Sequence, residues 1–202
     1  MQIVNKNYFD KGNFLHIPLA VNEPSGLNVT NSNELDSLCI DVEKEILLNA
    51  LGYELYTEMF ALTDVTIEDS ENERWKKLIQ GDELWIGLHN DNSLIAYRIF
   101  EQFTTETNIR LSATGATKVN AENATNQTPA YLITTANNRF IKQYQGGYLI
   151  DPIVIGNFTD WMGCNQGIEK SLYGYLVEKK ADFPEWDLSK FRVYETKNTF
   201  GI

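Results

Sequence analysis

Ser93-Leu-Ile-Ala-Tyr-Arg-Ile-Phe-Glu-Gln-Phe-Thr-Thr-Glu-Thr-Asn108, followed by Thr114-Gly-Ala-Thr-Lys-Val-Asn-Ala-Glu-Asn-Ala-Thr-Asn-Gln-Thr128, decides how this chain is read. In the first stretch Leu94, Ile95, Tyr97, Ile99, Phe100 and Phe103 recur at the spacing of a helix with one buried face. Beyond the second, Leu132, Ile133, Ala136, Phe140, Ile141 and Tyr144 do the same. The polar stretch between them has hardly any apolar side chain, so it cannot bury enough surface to offset its own ordering. It reads as either a disordered hairpin or a surface shaped for another chain.

Working outward, Thr128-Pro129 supplies an N-cap and a proline at the first helical position, and Gly146-Gly147 ends the second core helix. Upstream, Asn33 is expected to cap the first helix. Leu35, Leu38, Cys39, Val42, Ile46 and Leu47 form its buried stripe, and Gly52 stops it. Tyr53 to Leu62 restarts helically, with Leu55 and Met59 on one side and Tyr56 and Phe60 on another. An acidic linker, Asp64 to Asn72, precedes a short helix from Glu73 to Ile79, anchored by Trp75 and Leu78, with Arg74, Lys76 and Lys77 on a solvated face. Tyr148 to Ile155 is β-branched and contains Pro152, which predicts an edge strand or an extended excursion. A last helix is expected from Ile168 to about Lys180, carried by Ile168, Leu172, Tyr175 and Leu176.

At 202 residues, with ordinary apolar and charged fractions, the chain has room for one sizeable core and reads as a soluble single domain. No apolar run approaches the length needed to span a bilayer, so neither export nor membrane insertion is expected. A net charge of −11, with basic residues scattered singly or in short pairs, argues against sequence-independent nucleic-acid binding. Cys39 and Cys164 are too few and too far apart for a disulfide framework or a zinc site. Cys39 reads as a buried free thiol.

Catalysis needs convergent groups with shifted proton affinities, and few candidates exist. His16 lies among apolar residues and His89 in a segment that reads as a turn, Gly87-Leu-His-Asn-Asp91, neither with a second ligand at metal spacing. Nucleophile elbows, phosphate loops and dinucleotide fingerprints are absent from the sequence. Glu68, Asp69, Glu71 and Glu73 form a sequential run, as of a solvated linker, rather than two carboxylates facing across a cleft. No catalytic, cofactor-binding or metal residue is assigned. The end of the chain is different: Phe183, Trp186, Phe191, Tyr194 and Phe200 recur at irregular spacing, so the tail either folds back or docks on a neighbour.

Several segments share their order with a known family. Leu51-Gly-Tyr-Glu-Leu-Tyr56, Glu73-Arg-Trp-Lys-Lys-Leu-Ile-Gln-Gly81, Ile95-Ala-Tyr97, Gly115-Ala-Thr-Lys118 with Asn120-Ala-Glu-Asn-Ala124, Phe183-Pro-Glu-Trp186 and Asn198-Thr-Phe-Gly-Ile202 stand in sequence. In that order the chain resembles head-to-tail connector, or adaptor, proteins of tailed phages and prophages of Bacteroides-type bacteria. The resemblance covers most of residues 33 to 145 and the last twenty or so; Tyr148 to Gly167 and Leu84-Trp-Ile86 depart from it.

The expectation is therefore a mainly α fold: a helical bundle with a minor β element and extended N- and C-terminal arms in one domain, residues 1–202. Its parts are an N-terminal arm (1–32), a helical core (33–145), a β-like excursion (146–167), a last helix (168–180) and a C-terminal arm (181–202). The resemblance implies a non-enzymatic structural subunit of a ring that joins portal to tail. Its partners would be further copies of itself, the portal protein and adjacent connector or tail proteins, with no cofactor and no membrane. DNA would pass through without being read, and the place would be the virion neck, assembled in the bacterial host cytoplasm. Another phage ring or tail-completion protein is the alternative, and a carboxylate-dependent hydrolase the third. Lys118, Asn120, Asn123, Asn126, Trp186, Phe191, Tyr194, Phe200 and Ile202 are the expected assembly contacts.

Overall fold

A computed structural model of the chain describes residues 2–10, 14–17, 20–21, 29–62, 66–83, 85–112, 115–118, 130–146 and 170–195. The fold is mainly helical. Its central element is α1, Val29–Leu51, whose Leu35, Cys39, Val42, Ile46 and Ala50 fall on one face and are all buried. The helix begins upstream of the expected cap, and Asn33 lies exposed inside it. Thr30, Asn31, Ser32 and Asn33 are all residues that cap helices, so the local pattern does not choose among them; Ser32 is buried, extending the packed face upstream of Leu35.

Gly52 ends α1 with a φ of 80°, a left-handed conformation that glycine adopts without strain. The chain then restarts as α2, Tyr53–Phe60, with Leu55 and Met59 turned inward. Two short 3-10 turns, Thr66–Glu68 and Ser70–Asn72, lead into α3, Glu73–Gln80, which buries Trp75, Leu78 and Ile79. After α3 the chain folds back tightly, and the N–H groups of Leu88 and His89 bond the carbonyls of Leu78 and Ile79 at 3.1 and 2.8 Å. Gly87 (φ 84°) makes this possible, since a Cβ there would fall 2.6 Å from the backbone of Ile79, Gln80 and Gly81.

The two core helices are α4, Leu94–Asn108, and α5, Ala130–Tyr144, and they pack against each other. Ser93 immediately precedes α4 and donates its hydroxyl to the Leu88 carbonyl at 2.6 Å. A final helix, α6, runs from Leu172 to Glu178, later than Ile168 because Ser171 is the N-cap and accepts from the Gly174 N–H at 3.1 Å. Strand β1, Ile109–Ser112, pairs antiparallel with β2, Gly115–Lys118, Ile109 facing Lys118 and Ser112 facing Gly115. Strand β2 of this ribbon falls in the polar stretch read as either a disordered hairpin or a surface shaped for another chain. The β element expected at Tyr148 to Ile155 lies outside the described residues.

Neither end behaves as a free arm over its described length. Ile3, Val4, Tyr8, Phe9, Leu15, Ile17 and Ala20 are buried, and a 3-10 turn, Lys6–Asp10, sits against α1. Glu43 on α1 accepts the N–H groups of Ile3 and Val4 at 2.9 to 3.1 Å, and Tyr8 donates its hydroxyl to the Asn90 carbonyl at 2.6 Å. Pro18 and Pro24 exclude a continuous helix through this segment. That is compatible with an irregular chain whose apolar groups complete the core.

Candidate assembly interface

Four regions bear on a docking role: the tail, the ribbon, and the outer faces of α2 and α5. The tail after α6 is covered by its own fold. Phe183 is packed edge-on against Trp75, and Trp186 donates its indole N–H to the Ala50 carbonyl at 2.8 Å, near the end of α1. Phe191 stacks on Tyr144 with ring centroids 4.7 Å apart and meets Tyr173 edge-on at 5.1 Å. Tyr194 is held from both sides: its N–H donates to Gln145 Oε1 at 2.7 Å, and its carbonyl accepts from Gln145 Nε2 at 2.9 Å. Its hydroxyl accepts from Asn49 at 2.7 Å and donates to Glu45 at 3.1 Å. Burial, the largest cause, pushes the Tyr194 phenol up to about 12, against the Asn49 hydrogen bond.

Trp186 and Phe191, expected as assembly contacts, are buried within the fold, and Tyr194, expected as a third, is half-buried and packs beside them. Irregular aromatic spacing suits a chain that crosses several elements without a period of its own, each ring filling a different gap. Phe200 and Ile202 lie outside the described residues.

Arg74 ties the tail to the helices. It reaches the Asp182 carbonyl at 2.8 Å and Glu185 at 3.4 Å, pairs with Glu58 of α2, and lies 5.1 and 5.4 Å from the ring centres of Trp75 and Phe183. Sequence had placed Arg74 on a solvated face with Lys76 and Lys77. Those two do make surface pairs, Lys77 with Glu73 at 2.6 Å and Lys76 with Glu68, so part of the acidic run is neutralised locally. Glu68 and Glu73 are held below the usual carboxylate range by these lysine hydrogen bonds.

Strand β2 lies within the expected docking loop, and β1 just precedes it. Lys118 is the last residue of β2, while Asn120, Asn123 and Asn126 lie outside the described residues. Among the described residues the sheet has two strands, and each offers one edge that no further described strand pairs.

The outer faces of α2 and α5 were not singled out as contacts. Tyr53 is 76% exposed and Phe60 57%, with Tyr56 between them stacked on Phe60 at 5.7 Å. Across the molecule Tyr131 is 71% exposed at the start of α5. Their signal was present in sequence, because Leu55 and Met59 leave Tyr53 and Phe60 on the opposite side of α2. Core-seeking analysis of aromatics passes over it.

The expected chemistry-poor residues sit as follows. Cys39 is buried, its thiol pushed up to about 12 chiefly by desolvation, and Cys164 lies outside the described residues. His16 is exposed; His89 is exposed and places Nδ1 2.9 Å from the Ile3 carbonyl. Among the described residues no group of His, Cys, Asp or Glu could hold a metal ion, and no helix is long and apolar enough to cross a membrane. Comparison with protein-family models, curated proteins and solved structures gives no match.

Proposed function

We propose that the chain is a structural subunit of a tailed-phage head-to-tail connector ring, joining portal to tail around the DNA passage. The observation that carries this reading is the β1–β2 ribbon. A two-stranded ribbon is marginal in water by itself, and here it emerges directly from a long core helix with no further strand paired to either outer edge among the described residues. A neighbouring chain adding a strand, or closing over those edges, would satisfy its backbone groups. The helical core supplies a rigid base, and the sequence order of segments shared with connector proteins supplies the place.

In this role the protein carries out no catalysis. Lys118 and the asparagines after it, Asn120, Asn123 and Asn126, are the residues assigned to contacts with neighbouring subunits or the portal. The net charge of −11 would keep DNA from adhering as it passes. The test is location: purified particles of a phage encoding the chain, examined by mass spectrometry and electron cryomicroscopy, should contain it as a ring beneath the portal. Particles complete without it would overturn the proposal.

A further inference from the structure

We infer that copies of this chain join head to tail, with the outer face of α2 on one copy seated against the outer face of α5 on the next. The inference rests on the ring reading and adds the surface through which the copies meet.

On α2, Tyr53 and Phe60 share the exposed side of the helix, away from Leu55 and Met59; Tyr56, packed partly against the core, stacks on Phe60, and Glu54 is exposed on the same helix. α2 contains two glutamates and no basic residue. Glu58 is occupied by Arg74 and by the Trp75 indole N–H, which donates at 3.0 Å, whereas exposed Glu54 has no ion pair among the described residues. These contacts fix α2 to α3, so its aromatic face is presented on a rigid base rather than on a loose segment.

On α5, Tyr131, Asn138 and Lys142 share the exposed side, opposite the buried Ala136, Phe140 and Tyr144. This helix carries Arg139 and Lys142 and no acidic residue. Arg139 is engaged within its own copy, donating to the Tyr97 hydroxyl at 3.1 Å, whereas Lys142 is exposed and has no ion pair among the described residues. Each face thus pairs exposed aromatic surface with charge that no ion pair among the described residues compensates, acidic on α2 and basic on α5. Complementarity of that kind selects one face for the other and disfavours either face meeting itself, where like charges would oppose.

The order of packing supplies the geometry. α2 packs on α1, α1 on α4 and α4 on α5, so the two faces belong to helices separated by the central pair. Two different patches on one molecule make a heterologous contact, which repeats from copy to copy and closes as a ring when the rotation permits. Two short helix faces form a small interface, so one contact is weak and closure around the ring makes the assembly durable.

The test uses the full chain and two surface variants. Tyr53→Ser with Phe60→Ser disables the α2 face, and Tyr131→Ser with Lys142→Glu disables the α5 face; unchanged far-ultraviolet circular dichroism establishes that each folds. In sedimentation velocity the parent chain should associate with rising concentration, less so in high salt, and each variant should associate at least ~tenfold more weakly. Mixed together, the variants retain one good face each and should give a one-to-one dimer that grows no further. A variant that associates like the parent, a mixture that stays monomeric, or a parent chain monomeric at every concentration overturns the inference. The ring proposal is judged separately by location in the particle. Protection of α2 from hydrogen exchange in particles, without self-association in solution, would assign the face to a different virion protein and likewise overturn the contact between copies.

Discussion

Residues 183–195 have almost no regular structure and yet close the core, whereas residues 109–112 and 115–118 form a regular antiparallel ribbon whose outer edges no other described strand pairs. The tail is held at several separate points: Phe183 on Trp75, Trp186 on the Ala50 carbonyl, Phe191 on Tyr144, and Tyr194 between Gln145 and Asn49. In the ribbon, the strands satisfy each other along their inner sides only. Regularity and integration into the core are separate properties. What makes a segment integral is the number of different elements its side chains reach, and an aperiodic chain can reach more of them than a ribbon can.

The sharpest way to break this contrast is Trp186→Ala. It removes a buried ring and its hydrogen bond, and chemical denaturation should show a loss of about 3–5 kcal/mol, with circular dichroism reporting partial or complete unfolding at modest temperature. A loss below about 1 kcal/mol, the scale of an ordinary surface change, would return the tail to the status of a detachable arm.

Tyr194→Phe is gentler. It keeps the ring against Phe140 and Tyr144 but deletes the hydroxyl shared by Asn49 and Glu45, so stability should fall by about 1 kcal/mol.

A third effect is a slope with pH, at the other end of the chain. Burial raises the proton affinity of Glu43 above the usual carboxylate value, opposed in part by the N–H groups of Val4 and Ile3. A folded-state value above the unfolded one means that the folded protein holds the proton more tightly. Its stabilising contribution is present below the unfolded value and is lost as pH rises through the folded one. The melting temperature of the parent minus that of Glu43→Gln should therefore increase as pH falls from neutral toward 4.5, the ordinary value for this group. A difference that stays flat would mean that the amide donors cancel the cost of burial.

The smallest effect is expected at the ribbon. Replacing residues 109–118 by a short glycine-serine link should leave helical circular dichroism intact and change stability by no more than about 0.5 kcal/mol, while removing the chain from assembled particles. Loss of the fold would place the ribbon with the tail and erase the contrast.

Much of the architecture was legible because it is periodic. The stripes of α1, α4 and α5, the stop at Gly52 and the burial of Trp75 and Leu78 follow from local spacing and glycine chemistry. The packing of the two ends was not legible, because it depends on partners far away in sequence: Ile3 meets Glu43, and Trp186 meets Ala50. An extended aromatic segment looks the same whether its gap lies in the same molecule or in the next one. The exposed face of α2 was legible but unread, since Tyr53 and Phe60 are conspicuous only once Leu55 and Met59 have taken the inward side.

The Trp186 bond to Ala50 joins residues 136 positions apart, which has a consequence for biosynthesis. At a translation rate of ~5–20 residues per second, the end of α1 waits roughly seven to twenty-seven seconds for the indole that covers it. Throughout that interval helices can form locally, but the nascent chain lacks the side chains that seal them together. The fold is therefore completed late in synthesis, and an interrupted chain lacking its last aromatics would present quality-control machinery with an open apolar surface rather than a shorter working protein.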